Sequence, residues 1–310
     1  MAPKLNVPVG IVFPQAETAG NVVFAREFSI AVEDLGYDQL VLYEHVLGAD
    51  PAHHTLSGPY THRSPFWEPF VFFSHVAALT STIEFVLAVL VLPQRQTALV
   101  AKQAATLDLL CNDRFRLGVG VGWNQVEYEA LGENFRTRGK RIEEQIPLLR
   151  RLWRENLVTH EGKFDAIHHA SILPRPNRDI PIWFGGWSDR VLDRLGRLGD
   201  GWLAATGSPK TALGRNRILR PEDLQHRIER IKQSAEQSGR DPNEIGISML
   251  VSAVGYEGTV MPFDPGEWVE RATQWVEAGA TEIIFASVDL DFSPNDHLSV
   301  ARDLASALDL

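Results

Sequence analysis

What most limits the folds open to this chain is a rhythm. Short apolar runs of the kind that form buried strands alternate with amphipathic helical stretches from one end to the other. The runs are Val7 to Phe13, Tyr37 to Tyr43, Ile83 to Leu92, Phe115 to Val121, Ile180 to Phe184, Gly201 to Ala205, Ile245 to Val254 and Glu282 to Ala286. They are nearly continuous in apolar residues, as parallel strands covered on both faces should be. Between them the spacing predicts a helix over Val22 to Leu35, apolar at Phe24, Phe28, Ala31, Val32 and Leu35 and stopped by Gly36. Further helices are expected over Trp67 to Leu79, Ala98 to Leu110, Arg138 to Trp153 (after a short helical piece at Glu127 to Leu131) and Asp189 to Leu198. The last three are Pro221 to Gly239, Pro265 to Ala278 and Asn295 to Leu308. Eight strands, each followed by a helix, is the pattern of a (β/α)8 TIM barrel. A doubly wound open sheet competes, but no G-x-G-x-x-G fingerprint opens the first helix. Three stretches break the rhythm and read as inserted loops: Glu44 to Pro65, Val158 to Pro176 (a small hairpin or excursion) and Gly207 to Leu219. One domain, residues 1–310, is expected.

Two strand ends are unusual. In Arg114-Phe115-Arg116-Leu117-Gly118-Val119-Gly120-Val121-Gly122-Trp123 an apolar run carries glycine at alternate positions and stops in a polar, helix-opening turn at Asn124. Glycine weakens a strand, so such a row implies that something bulky approaches the backbone closely. Pro181-Ile182-Trp183-Phe184-Gly185-Gly186-Trp187-Ser188 repeats the grammar before a helical pattern. Strand ends that open through glycine onto helix starts suit a flat ligand with an anionic tail, because N–H groups at a helix start hold phosphate well. They also suit tight turns that need glycine for geometry alone.

The formal charge of −10 argues against a nucleic-acid partner. The basic runs Arg136 to Arg141 and Arg215 to Arg220 sit among polar neighbours and read as a solvated face or mobile loop, with an anion-gripping loop as the alternative. The single cysteine, Cys111, ends an apolar helical pattern with no motif around it and reads as packing in a reducing compartment. Met1-Ala2-Pro3-Lys4 shows no signal pattern and leads toward a strand, and Val86 to Leu92 is too short to span a bilayer, so a soluble, cytoplasmic protein is expected.

In a barrel, functional groups collect where strands end. Those positions hold Pro14 and Gln15, Tyr43 to His45, Leu90 to Pro93, Gly122 to Asn124, Gly185 to Ser188, Thr206, Ser252 and Ser287. They contain neither a Ser-His-Asp set nor a carboxylate cluster. His45 follows the apolar Leu40-Val41-Leu42, so its ring should reach the barrel mouth and could donate a hydrogen bond or move a proton; alternatively it ties down the loop that follows. Glu44 should point the other way. The pairs His53-His54 and His168-His169 lack metal-ligand spacing. Trp67, Trp123, Trp183 and Trp187 suit core packing, although Trp123 and Trp187 lie beside glycine turns where a ring could stack.

Together these residues resemble the luciferase-like monooxygenase superfamily, (β/α)8 enzymes that use reduced flavin or the deazaflavin coenzyme F420. The resemblance runs from Gly10-Ile11-Val12-Phe13-Pro14 to Asp200-Gly201-Trp202. It is most specific in Val89-Leu90-Val91-Leu92-Pro93, in Ala101-Lys102-Gln103-Ala104-Ala105-Thr106-Leu107-Asp108 and in the glycine strand that ends at Trp123. It implies that His45 is the catalytic histidine near the reactive ring. It also implies a bulge in the third strand, with a non-proline cis peptide at Ala88-Val89 or the next bond, that supports the cofactor. The phosphate-holding turns would be Gly122-Trp123, running on to Asn124, and Gly185-Gly186-Trp187-Ser188.

The F420-dependent oxidoreductase branch is the most similar, implying hydride transfer with a small organic substrate and a homodimer. The alternative is an FMN-dependent monooxygenase fed by a partner flavin reductase. Two positions depart from the family pattern. Glu44 stands where many deazaflavin enzymes have Asp or Ser. Trp123 stands where the sugar-phosphate dehydrogenases carry a catalytic Glu, which speaks against a sugar phosphate as substrate. A metal-dependent barrel hydrolase and a non-catalytic flavin-binding relative are the readings from other classes.

Overall fold

Continuous apolar runs of four to eight residues can be buried on both faces only by pairing in parallel and being covered by helices, and the chain does this by closing the sheet on itself. The structure, a computed structural model, describes residues 5–18, 20–205, 219–254, 260–288 and 290–310. The first half runs β1 (Val9–Val12), α1 (Gln15–Thr18), α2 (Val22–Asp34), β2 (Gln39–Leu42), α3 (Pro69–Ala77), β3 (Glu84–Val91), α4 (Thr97–Leu110), β4 (Phe115–Gly120), α5 (Gln125–Ala130) and α6 (Arg138–Arg154). An antiparallel hairpin of β5 (Val158–Glu161) and β6 (Ala166–Ala170) follows. The second half runs β7 (Ile182–Gly185), α7 (Asp189–Leu198), β8 (Gly201–Ala205), α8 (Pro221–Gln237), β9 (Gly246–Ser252), α9 (Pro265–Glu277), β10 (Glu282–Ala286) and α10 (Pro294–Leu308). Without the hairpin, eight strands close in the order β1-β10-β9-β8-β7-β4-β3-β2. All neighbours are parallel, which excludes the open sheet.

Thr206, most of the expected loop Gly207 to Leu219, the start of the basic run at Arg215 and the segment Met1 to Lys4 lie outside the described residues. Among the described residues no helix is long and apolar enough to cross a membrane.

Local chemistry sets the element ends. The Asn21 side chain caps α2 by accepting from the Phe24 N–H, and Phe24, Phe28 and Val32, four residues apart, form its buried face. The third helix starts two residues later than its apolar pattern suggests. Glu68 accepts from the Val71 N–H with Pro69 in the first turn, while the Trp67 N–H is held by Gln15. A Ser293–Asp296 capping box opens α10.

Two apolar layers result. One lies between the barrel and its helices; the other fills the barrel with Val12, Val41, Val86, Trp183, Leu203, Ile284 and Ala286. Below Trp183 the guanidinium of Arg116, 4.2 Å from the indole centre, bridges Glu84 and Glu282 at 2.6 Å each. This ion triad, with Arg116 and Glu282 buried and Glu84 partly exposed, closes the lower end of the barrel and leaves the strand C-termini as the open end.

Candidate active site

The open end is organised around the third strand. Pairing between β3 and β4 breaks register between Leu87 and Leu90, and the Ala88–Val89 peptide inside the break is cis. The break turns the Val89 side chain inward. A Cβ on Gly120 would lie 2.6 Å from Val89 Cγ2, and one on Gly185 would lie 2.8 Å from Val89 Cγ1. At Gly118 a Cβ would come within 1.9 Å of the Leu87 carbonyl oxygen. The close approach that the alternating glycines permit is therefore made, at these three positions, by the chain's own bulged strand. Gly122 and Gly186 turn the chain at the rim, their φ angles of 63° and 106° lying where a side chain is strained, and a Cβ on Gly122 would also lie 2.6 Å from Val91 Cγ1.

Above Val89 opens a cavity of about 410 Å³. Its floor and walls include Val41, Ala88, Val89, Leu203, Leu250 and Ile284, with Gly122 and Trp123 at one corner and Gly185, Gly186 and Trp187 at another. His45 lines it beside Tyr60, which the long 44–65 loop brings back over the barrel. The loop is held at both ends: the Gln15 carboxamide donates to the Tyr43 carbonyl at 2.7 Å and accepts the Trp67 N–H at 3.0 Å.

Tyr60, Phe66 and Trp123 meet the His45 imidazole edge to face, with ring centroids 5.1 to 5.5 Å away. Only 9% of the His45 side chain is exposed. Its Nδ1 lies 3.1 Å from Oε2 of Glu127 on α5. Nε2 has no hydrogen-bond partner among the described residues. Glu127 is buried, and its other oxygen accepts the Val46 and Leu47 N–H groups.

Glu44 and His45 both lie beyond the end of β2, and their side chains take different partners. Glu44 accepts the Val91 N–H at 2.7 Å and Arg95 at 2.8 Å, which pins the chain just after the bulge. Complete burial pushes the Glu44 carboxyl above the ordinary carboxylate range, against the pull of Arg95 and the Val91 N–H.

Of the residues the sequence singles out, His45, Ala88, Val89, Gly122, Trp123, Gly185, Gly186 and Trp187 share this one cavity. Asn124 and Ser188 do not line it. Asn124 is buried: its carboxamide caps α5 through the Val126 N–H and donates to the Leu47 carbonyl at 3.2 Å. Ser188 is exposed at the start of α7, with no side-chain cap bond there. The Gly186 corner is held from below by the Trp202 indole N–H and from the side by Arg227, which donates to the Trp187 carbonyl.

Glu127, Tyr60 and Phe66 were not foreseen. Glu127 stands 82 positions from its partner, and only its place in the first turn after a strand end hinted at a role. His53 and His168 form exposed pairs with Asp50 and Glu161. Among the described residues no group of three or more His, Cys, Asp or Glu is placed to hold a metal.

The model of the luciferase-like monooxygenase family matches residues 9–255, most of the barrel and every one of these corners. The chain belongs to that family. It is accordingly an oxidoreductase. An uncharacterised protein of Mycobacterium tuberculosis is 33% identical over 247 residues, covering 77% of this chain and 81% of that one. An F420-dependent glucose-6-phosphate dehydrogenase of Kineococcus radiotolerans is 27% identical over 82% of this chain and 69% of its own. Among solved structures, an F420-dependent secondary alcohol dehydrogenase in complex with an F420-acetone adduct superposes with a TM-score of 0.74 at 17% identity, covering 97% of this chain and 99% of that one. A long-chain alkane monooxygenase superposes at 0.76 and 14% identity, over 100% and 92%. At such identities the superpositions speak for the fold.

Proposed function

We propose that this luciferase-like oxidoreductase binds the deazaflavin F420 in the barrel mouth and moves hydride between it and a small organic substrate, with His45 handling the accompanying proton. The observation that carries the reading is the shape of the mouth. It is a cavity of about 410 Å³ floored by Val89, with His45 on one wall and a Cβ-free corner at Gly186 on another. A planar tricyclic ring fits the apolar floor, and an anionic tail fits the exposed corner, where α7 begins without a side-chain cap. Val89, Trp123 and the Gly185–Trp187 segment would hold the group, whose contribution when bound is to accept or release a hydride at one ring carbon. The chain's own residues then do three things. The Val89 floor orients a flat guest. Tyr60, Phe66 and Trp123 shield the His45 ring from water. His45 Nε2, the ring atom without a partner among the described residues, accepts or donates a proton at the substrate heteroatom. Relatives named as F420-dependent glucose-6-phosphate dehydrogenases support the choice of cofactor.

The second reading is an FMN-dependent monooxygenase supplied by a flavin reductase; the same fold carries a Baeyer–Villiger monooxygenase in complex with FMN, which superposes at a TM-score of 0.71 and 14% identity. Titrating the protein against F420 and against FMN, followed by quenching of cofactor fluorescence, separates the two. Tighter binding of FMN, together with oxygen consumption when reduced FMN is supplied, would replace the first reading by the second. With the cofactor identified, His45→Ala should abolish turnover on an accepted substrate while leaving cofactor affinity within about threefold. General acid–base catalysis accounts for about 10²–10⁴ in rate. Unchanged turnover would remove His45 from the chemistry.

A further inference from the structure

We infer that Glu127 is a positioning residue that fixes the tautomer of His45 and so decides which ring nitrogen can exchange a proton with substrate. The inference rests on the reading of His45 given above. Three observations carry it. Glu127 Oε2 lies 3.1 Å from His45 Nδ1 in a site where both side chains are almost wholly enclosed, at 9% and 1% exposure. Oε1 is committed elsewhere, to the Val46 and Leu47 N–H groups, so the carboxylate cannot swing away from the ring without releasing two backbone donors. Nε2 has no partner among the described residues and belongs to a ring that lines the mouth.

A carboxylate accepts and does not donate, so a neutral His45 carries its proton on Nδ1 and presents a bare Nε2 to the cavity. When Nε2 takes a proton from a substrate hydroxyl, the positive charge that forms on the imidazole is balanced by Glu127. In the opposite direction Nε2–H returns that proton to the carbonyl oxygen being reduced. The carboxylate enters from α5, one helical turn after Trp123, and acts through the histidine instead of touching substrate.

The other charged or titratable groups near the pair are Glu44, which is tied to Arg95, Glu68 on the far side of Arg95, and the hydroxyls of Tyr60 and Tyr128. Arg138 and Arg141 act on Tyr128 from the start of α6. None of the bonds described for them reaches His45 Nδ1, which leaves Glu127 as its hydrogen-bonding neighbour.

Glu127→Gln tests the inference sharply. The glutamine carbonyl oxygen can keep both backbone donors, which turns its NH₂ toward His45 Nδ1. Nδ1 must then become the bare nitrogen, and the proton moves to Nε2. In ¹⁵N–¹H spectra of the cofactor-free protein, with His45 assigned by the signal lost in His45→Gln, the wild type should show the Nδ1–H form and Glu127→Gln the Nε2–H form. In the loaded enzyme kcat should fall at least about tenfold, with KM and cofactor Kd within about twofold. The acidic limb of the pH profile should move to lower pH, because imidazolium has lost its counter-charge. A thermal midpoint within a few degrees of wild type shows that the backbone contacts survive. An unchanged tautomer, or a changed tautomer with unchanged kcat and pH profile, overturns the inference. If neither F420 nor FMN binds the wild type, the functional reading fails, and the spectra of the free protein still decide whether Glu127 sets the tautomer.

Discussion

If Gly120 and Gly185 are glycine because Val89 occupies the space where their side chains would be, then a methyl added at either position must be harmful only while Val89 is present. Each added Cβ would sit 2.6 or 2.8 Å from a Val89 methyl, well inside contact distance. Valine is stiff at χ1 and wedged between both glycines, so it cannot rotate out of the way. Overpacking of this kind costs about 1–3 kcal/mol. For 310 residues, at about 2.1 cal/mol/K of unfolding entropy per residue, each kcal/mol lowers the melting temperature by roughly 1.5 °C. Gly120→Ala should therefore lower it by about 1.5–5 °C. Val89→Ala removes the two methyls of a half-buried side chain, worth about 1–1.5 kcal/mol at about 0.8 per buried carbon. With those methyls gone, the nearest Val89 atom to either new Cβ is its own Cβ at 3.7 Å, an ordinary contact. The double variant Val89→Ala/Gly120→Ala should then melt within about 1 °C of Val89→Ala alone, a coupling of at least about 1 kcal/mol. Val89→Ala/Gly185→Ala should behave alike. Circular dichroism melts at two scan rates, the second to expose irreversibility, provide the measurement. Simple additivity of the single losses would refute the account of these glycines.

Two further outcomes follow from the buried charges and thiol. Arg116→Met should cost about 3–5 kcal/mol, since it leaves Glu84 and Glu282 facing each other without their cation. Burial already holds the Glu84 carboxyl above the ordinary range despite Arg116. A folded-state pKa raised above the unfolded one means stability that is present below the unfolded value and lost as pH rises through the folded one. The destabilisation of Arg116→Met, read as the melting difference from wild type, should thus be smaller at pH 5 than at pH 8; an equal penalty at both would show that the carboxylates are not the cause. Burial also pushes the Cys111 thiol up to about 11, so a disulfide reagent at pH 8 should modify it only after unfolding, and rapid labelling of the native protein would contradict its enclosure.

The helices and strands were legible because the period of the apolar pattern is a local property. Phe24, Phe28 and Val32 can face only one way on a helix, and Gly36, with φ of 89°, ends it whatever the rest of the chain does. Strand ends were legible as a set of positions for the same reason. Together with the rule that barrels work from their strand C-termini, this assembled His45, Gly122, Trp123 and the Gly185–Trp187 corner before any contact was known, while Ala88 and Val89 came only from the family resemblance. Asn124 and Ser188 show where that rule weakens. Both lie at a strand-to-helix turn, yet the Asn124 carboxamide serves the helix and the Ser188 side chain stands in the open.

By itself, then, the order of residues determined a closed parallel barrel, its working end and a histidine at the rim, all of which follow from periodicity and turn chemistry along a few neighbours. Which atoms meet across the mouth was decided by the tertiary structure. The row of glycines announced a close approach without naming the visitor, and only the registers of β3 against β4 and of β4 against β7 show that it is the bulged third strand, with Val89 facing both Gly120 and Gly185. The apolar pattern puts Glu127 at the start of a short helical piece and gives it no partner; closing the barrel carries α5 against the chain leaving β2, and the carboxylate finds an imidazole and two amides that need it. A hydrogen bond depends on a fraction of an ångström between groups 82 residues apart, a distance set by the packing of everything between them.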